Sequence, residues 1–250
     1  MNNIDYRVAR QFHENSSYLI DNSDDGDSWQ PEMKPTGKDV TTRIKLDSPV
    51  IPDSHFRDLL LARHSCRQFN NTPITLKQLI NILFAGYGIR DTIKVNNEEW
   101  LVHTVPSAGA LFPLEFYILV FQVEGLSPGI YHYLPKTGEL AYIQTEPVPI
   151  QLVIRFFLNQ SWIAGAGAII ISTAVIERTL SKYLDRGYRY ILLEAGHAFQ
   201  NMNLMAAACN VGAVNIGAFF DSEIAGLLKI VDGEELPIYA TVLGNRAEGS

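Results

Sequence analysis

Apolar positions along the chain change their period several times, and each change predicts an element. Phe56, Leu59 and Leu60 recur at helical spacing up to Arg63, with Asp53 or Ser54 placed to cap that helix. Thr75-Leu-Lys-Gln78 is a capping box, in which the Thr and Gln side chains each satisfy a backbone N–H at the helix start. Leu79, Ile80, Leu83 and Phe84 set an apolar face on that helix, which is expected to stop near Gly86 and Gly88. Phe116–Val123 is a nearly continuous aromatic and β-branched run, the composition of a strand covered on both faces. Gly129–Tyr133 and Glu139–Ile143 flank Pro135-Lys-Thr-Gly138 and predict a hairpin. Ala168–Val175 predicts a second central strand and Pro237–Leu243 a third.

Between the last two, Tyr188–Asn210 reads as one helix about 35 Å long. Its leucines, methionines, alanines and Phe199 leave little purely polar surface, so it is expected to be buried on most sides, in a large core or against another subunit. Helices and strands mix with one meander, which predicts an α+β fold rather than a strict βαβ repeat. At the start, Tyr6–Ile20 predicts a small helix packed on the body, and residues 21–39, acidic and rich in Gly and Pro, an exposed connection. The chain thus divides into an N-terminal segment and linker, 1–40, and a main domain, 41–250.

Apolar residues make up 47% of the chain and charged residues 19%, which excludes a disordered or fibrous class. Lys and Arg number 20 against 27 Asp and Glu, and the resulting −7 repels phosphates, so neither nucleic acid nor an anionic membrane is expected as a partner. Cys66 and Cys209 stand in no CxxC or Cys/His spacing, so neither a disulfide framework nor a zinc site is expected. Asp5, Arg7, Arg10, His13 and Glu14 interrupt the first twenty residues, which rules out a secretory signal there. Ile163–Ile176, the longest apolar stretch, is too short to cross a bilayer. A soluble cytoplasmic protein without a metal is expected.

Five stretches carry candidate chemistry. Arg63-His-Ser-Cys-Arg67 is the one dense basic cluster; guanidinium forks and a hydroxyl suit a phosphate monoester, and a solvated helix end accounts for it equally. Pro106-Ser-Ala-Gly-Ala-Leu-Phe-Pro113 joins small residues ahead of a central strand, either a close approach to a flat ligand or an ordinary loop. Glu194 and His197 stand at i and i+3, a spacing that di-iron bundles use twice; here it occurs once, so a buried hydrogen-bonded pair is expected. Lys182-Tyr183 opens the long helix as a surface pair, or as an acid or base if its surroundings shift it. Gly165-Ala-Gly167 lacks the third glycine and the following helix of a dinucleotide fingerprint.

In combination these stretches resemble the flavin-dependent nitroreductase superfamily, and within it the SagB/ThcOx-type azoline dehydrogenases, which form thiazoles and oxazoles. Phe12-His-Glu-Asn-Ser16, Arg63-His-Ser-Cys-Arg67-Gln-Phe69, Pro106-Ser-Ala-Gly-Ala-Leu-Phe-Pro-Leu-Glu115, Lys182-Tyr183, Leu193-Glu-Ala-Gly-His197 and Val214-Asn-Ile-Gly-Ala-Phe219 carry the resemblance over nearly the whole chain. It implies a nitroreductase-like fold, a central mostly antiparallel sheet flanked by helices, with the long helix at a homodimer interface. It also implies FMN. Arg63, His64, Ser65 and Arg67 would hold its phosphate and ribityl chain, with Arg246 as a further contact. Pro106, Ser107, Ala108 and Gly109 would lie along the ring, and Ile216, Gly217 and Ala218 near its reactive edge. Lys182 and Tyr183 would handle the proton. The implied substrate is an azoline in a peptide or carrier-bound intermediate, within a biosynthetic complex. The alternatives are an NAD(P)H-dependent nitro or quinone reductase, and a flavin-retaining subunit without turnover of its own.

Overall fold

The computed structural model describes residues 7–16, 55–95, 98–144, 146–230 and 233–247. The expected connection over 21–39 and the caps Asp53 and Ser54 lie outside them. In chain order come α1 (Arg7–Ser16), α2 (His55–Ala62), β1 (Ile74–Thr75), α3 (Leu76–Tyr87), β2 (Ile89–Val95), β3 (Glu98–His103) and β4 (Leu114–Val120). Then follow β5 (Val123–Glu124), β6 (Gly129–Leu134), β7 (Glu139–Gln144), α4 (Ile150–Phe156) and β8 (Ala168–Val175). The last are α5 (Glu177–Tyr183), α6 (Arg186–Ala208), β9 (Val211–Ile216), α7 (Asp221–Leu228) and β10 (Glu235–Asn245).

One sheet of order β7-β6-β4-β8-β10-β9 organises the molecule, and every pairing in it is antiparallel. The central strands are largely apolar because both faces are covered, with Ser172, Thr173 and Thr241 as buried polar exceptions. Along β8, Ile170 and Ala174 enter one core with α3 and α6. Ile169 and Ile171 enter a second core on the opposite face, with α4 and α7. The fold is α+β, as the element order predicts.

The capping box forms as read: Gln78 N donates to Thr75 Oγ1 at 3.2 Å, and Thr75 N donates to Gln78 Oε1 at 2.8 Å. The core face of α3 differs from the expected one. Leu79, Ile82, Leu83 and Tyr87 are buried, while Ile80 and Phe84 are exposed. The rows at i+3 and i+4 from Leu79 run through 82, 83, 86 and 87, which turns Ile80 and Phe84 outward. Lys182 and Tyr183 do not open α6. They end the separate helix α5, which Leu184 stops in the left-handed region at φ 51°. α6 itself is buried along one side only, and Leu192 and Leu193 stand exposed on the other. α1 packs on the start of α6, where Ala9 N donates to Asp185 Oδ1 at 3.0 Å and His13 Nδ1 lies 2.7 Å from Tyr188 Oη.

Candidate active site

The basic cluster follows α2 and runs extended along the rim of the sheet. Cys66 N donates to Ala213 O at 3.0 Å, Asn70 N to Asn245 O at 2.9 Å, and Ala247 N to Gln68 O at 3.0 Å. Ser65 is thereby paired with Ala213 and Phe69 with Arg246. Alternation of an extended chain then separates two sides. Cys66 is buried against Gly212, where an added Cβ would meet Cys66 Sγ at 2.8 Å and Arg246 Cγ at 3.2 Å. Ser65 and Arg67 are exposed, and the Arg67 guanidinium lies 5.8 Å from the centre of the Trp162 ring. His64 Nδ1 is 3.1 Å from Ala62 O at the end of α2, which leaves its Nε2 free for a ligand.

Among the described residues, none of Arg63, Arg67 and Arg246 pairs with a carboxylate, and the buried Nε of Arg246 has no hydrogen-bond partner. A buried donor without an acceptor is costly, and three uncompensated guanidinium groups in an acidic protein are unusual. An anion of phosphate type satisfies both. The helix-end reading explains neither.

The loop Pro106–Phe112 is held in an unusual conformation. Gly109, Ala110 and Phe112 lie in the left-handed region at φ 63°, 54° and 44°. For Ala and Phe that region is strained, and such strain persists only where surrounding contacts impose it. Here the Ser107 side chain supplies one, since Phe112 N donates to Ser107 Oγ at 3.0 Å. The His103 ring supplies another, stacked on Phe112 with centroids 3.8 Å apart. Gly109 is required by its neighbours as well: a Cβ there would meet Tyr183 Oη at 2.8 Å and Lys182 Nζ at 2.9 Å. The Lys-Tyr pair and the small-residue loop, some seventy positions apart in sequence, thus form one corner. Lys182 is exposed in the single chain, so any desolvation of it must come from a partner or substrate that covers the corner.

Glu194 backs the same loop from α6 and is 3% exposed. Tyr87 Oη donates to its Oε1 at 2.7 Å. Burial pushes the Glu194 carboxyl above the usual range, against the pull of Ser107 and Tyr87. His197 is exposed, so the expected Glu194–His197 pair does not form; the Tyr87 hydroxyl, distant in sequence, takes its place. Burial lowers the His103 pKa below its ordinary value, and its Nδ1–H donates to Tyr87 O at 3.0 Å.

The third segment, Ile216–Ala218, leaves the end of β9, with Ile216 buried, Gly217 exposed and Ala218 half-buried. Four residues, about 13 Å of strand, separate Gly217 from the Ala213 position that anchors the basic cluster. The Gly109 corner lies elsewhere. Leu243, near the basic cluster, pairs with Ala168 of β8, whereas Leu114, beside the loop, pairs with Ala174. Those β8 positions are about 20 Å apart. One chain therefore holds 63–67 and 246 at one end of its sheet and 106–109 with 182–183 at the other, while Ile216, paired with Ala240 and through it level with Ile171, leads from the first end toward the second. Residue chemistry without topology does not show this division. Nor does the sequence single out Tyr87, His103 and Trp162, although the lone carboxylate in the apolar run of α6 marks Glu194.

The architecture is thus an α+β one, an antiparallel sheet between two helical layers, with Arg63, Arg67 and Arg246 unpaired with carboxylates among the described residues at one sheet end. The chain belongs to the nitroreductase family, whose sequence profile matches residues 60–245. It is 39% identical to the nitroreductase-type protein MJ1384 of Methanocaldococcus jannaschii over 82% of this chain and 98% of that one. It is 27% identical to the microcin B17-processing protein McbC of Escherichia coli, over 56% of this chain and only 53% of McbC. Among solved structures, the E. coli microcin synthetase McbBCD complex with truncated pro-MccB17 bound shares the fold at a TM-score of 0.69. That likeness covers 97% of this chain and 93% of the other at 22% identity. Nitroreductase-family proteins generally bind FMN. One from Desulfovibrio desulfuricans was solved in complex with FMN and matches at a TM-score of 0.53 and 18% identity, over 79% of this chain and 89% of that one. Among the described residues no helix is long and apolar enough to cross a membrane.

Proposed function

We propose that this chain is an FMN-dependent dehydrogenase that oxidises an azoline ring, thiazoline or oxazoline, to the azole in a peptide or carrier-bound intermediate. It would act in the cytoplasm as a homodimer, within a biosynthetic complex. The convergence of Lys182 Nζ and Tyr183 Oη on Gly109 carries the reading, because aromatisation needs a proton acceptor beside the flavin and a simple nitro or quinone reductase does not. The likeness to a microcin-processing protein and to a synthetase complex with a pro-peptide bound supports the substrate class.

Arg63, Ser65, Arg67 and Arg246 hold the phosphate through charge-assisted bonds, with His64 Nε2 in reach of the same end. The backbone of Ile216–Ala218 borders the ring from the same chain. Pro106–Gly109, with Lys182 and Tyr183, completes the site from a second copy, since the sheet register keeps the two ends of one chain apart. The exposed Leu192 and Leu193 of α6 give that copy an apolar surface to cover. FMN held there would supply the redox chemistry, hydride uptake from the substrate ring followed by return of the electrons to dioxygen. The protein does the rest: Lys182 Nζ takes the ring proton, Tyr183 Oη orients or relays it, and the covering partner excludes water.

Flavin reduction by substrate without air isolates this step. Lys182→Ala should keep its yellow flavin and lose about 10²–10⁴-fold in that rate. Wild-type reduction rates in Lys182→Ala would end the assignment.

A further inference from the structure

We propose that Trp162 is a positioning residue for the FMN phosphate, holding the Arg67 guanidinium by its flat face so that its N–H edges stay open to the anion. The proposal rests on the FMN reading above. Trp162 acts through Arg67 and need not touch the cofactor itself.

A guanidinium can be held in two ways. A carboxylate takes its N–H donors and cancels its charge, whereas an aromatic ring attracts the flat face and leaves donors and charge in place. The chain uses both. Arg178 directs Nη2 to Glu115 at 2.6 Å and donates from Nη1 to Phe112 O at 3.2 Å, so its donors serve the fold. Arg67 pairs with no carboxylate among the described residues, and its Cζ lies over the Trp162 ring. Arg186 also lies over a ring, that of Tyr190, but those two are neighbours one turn apart on α6, a contact that helix spacing supplies by itself. Arg67 and Trp162 are far apart in sequence, so their contact has to be built by the fold.

The support for it can be followed inward. Arg67 and Phe69, two positions apart on the extended segment, point to the same side. Trp162 lies beside both, its ring centre 6.4 Å from that of Phe69 at a tilt of 48°. Two glycines then make room for Phe69. A Cβ on Gly244 would meet Phe69 Cδ1 at 2.8 Å, and one on Gly165 would meet Phe69 Cβ at 3.0 Å. Gly165 thus has a use that no dinucleotide fingerprint describes: it lets Phe69 settle at the sheet end, where Phe69 bridges to Arg246. The Trp162 backbone is anchored by the next residue, Ile163, which is fully buried and whose N–H donates to Gln160 O at 3.1 Å. The exposed Arg67 rests on the outer surface of this rack. A long side chain held in place before the anion arrives loses less conformational freedom on binding, which strengthens the complex without a new contact to the ligand.

Titrating flavin-free protein with FMN and with riboflavin, which lacks the phosphate, separates this role from a structural one. Trp162→Leu should weaken FMN about 2–30-fold, the worth of one cation–π contact, and leave riboflavin unchanged. Trp162→Phe keeps a ring face and should recover most of the loss. In an Arg67→Ala background, Trp162→Leu should cost nothing further, because the side chain it positions is gone. Equal losses for FMN and riboflavin, or additive losses in the double variant, overturn the proposal. A wild-type protein that binds FMN no tighter than riboflavin removes the phosphate site and the proposal with it. A wild-type preference for FMN that Trp162→Leu leaves intact removes the proposal alone.

Discussion

Replacing Gly109 by alanine isolates the corner where the loop meets the Lys-Tyr pair. The backbone there is left-handed at φ 63°, and an L side chain in that region costs about 1–2 kcal/mol. The new Cβ would sit 2.8 Å from Tyr183 Oη and 2.9 Å from Lys182 Nζ. Ordinary contact is about 3.5–4.0 Å, so both atoms must retreat by roughly 0.5–1 Å. They are the far ends of flexible side chains, so they yield more readily than the fold does. Gly109→Ala should therefore lose about 2–8 °C in Tm, keep its flavin, and reduce that flavin with substrate up to about 10²-fold more slowly. Combined with Lys182→Ala, the rate losses should not add, because both changes act on the same proton acceptor. Differential scanning calorimetry and anaerobic stopped-flow absorbance measure the two effects. An additive double variant, or a wild-type rate in Gly109→Ala, would refute the argument.

Arg63→Ala/Arg67→Ala should purify folded and colourless, since each charge-assisted phosphate contact is worth about 1.5–3 kcal/mol; a full flavin complement would remove the phosphate assignment. Leu193→Arg should dissociate the proposed dimer by placing a charge on the exposed side of α6, and an unchanged sedimentation coefficient would move the interface elsewhere. His103 should make the fold acid-sensitive. Its pKa is lowered on folding, so its stabilisation is present above the ordinary histidine value and is lost as the pH falls through the lowered one. Urea midpoints measured across that range should decline less in His103→Asn, whose amide can replace the Nδ1–H.

The elements legible in the sequence are those that local rules determine. β8 has the boundaries its apolar run predicts, and the α3 cap has the partners its capping box predicts. The hairpin of β6 and β7 follows from the turn between them. The run from Phe116 reads as one strand to Val123 but breaks at Val120, because Val123 leaves the main sheet to pair with Ile74 of β1. β2 and β3 carry Arg, Asp, Lys and Glu on exposed positions and give no apolar alternation to read. The site divides in the same way. Basic residues and small residues are visible as motifs. Their distribution to opposite ends of one sheet follows from strand order, and the bond of Glu194 to Tyr87 spans a separation that no local spacing encodes.

The division of motifs between the two ends of the sheet has a genetic consequence. In the proposed dimer, each catalytic centre takes its phosphate grip from one copy and its proton acceptor from the other. Two inactive alleles, one lacking Arg63 and Arg67 and one lacking Lys182, would then complement each other. A mixed dimer places both lesions in the same centre and leaves its second centre intact. Random pairing of equal amounts makes about half of all dimers mixed, so roughly a quarter of wild-type centres should return. The same arithmetic makes each centre hostage to both gene copies: a single defective subunit carrying all three changes silences both centres of any dimer it enters.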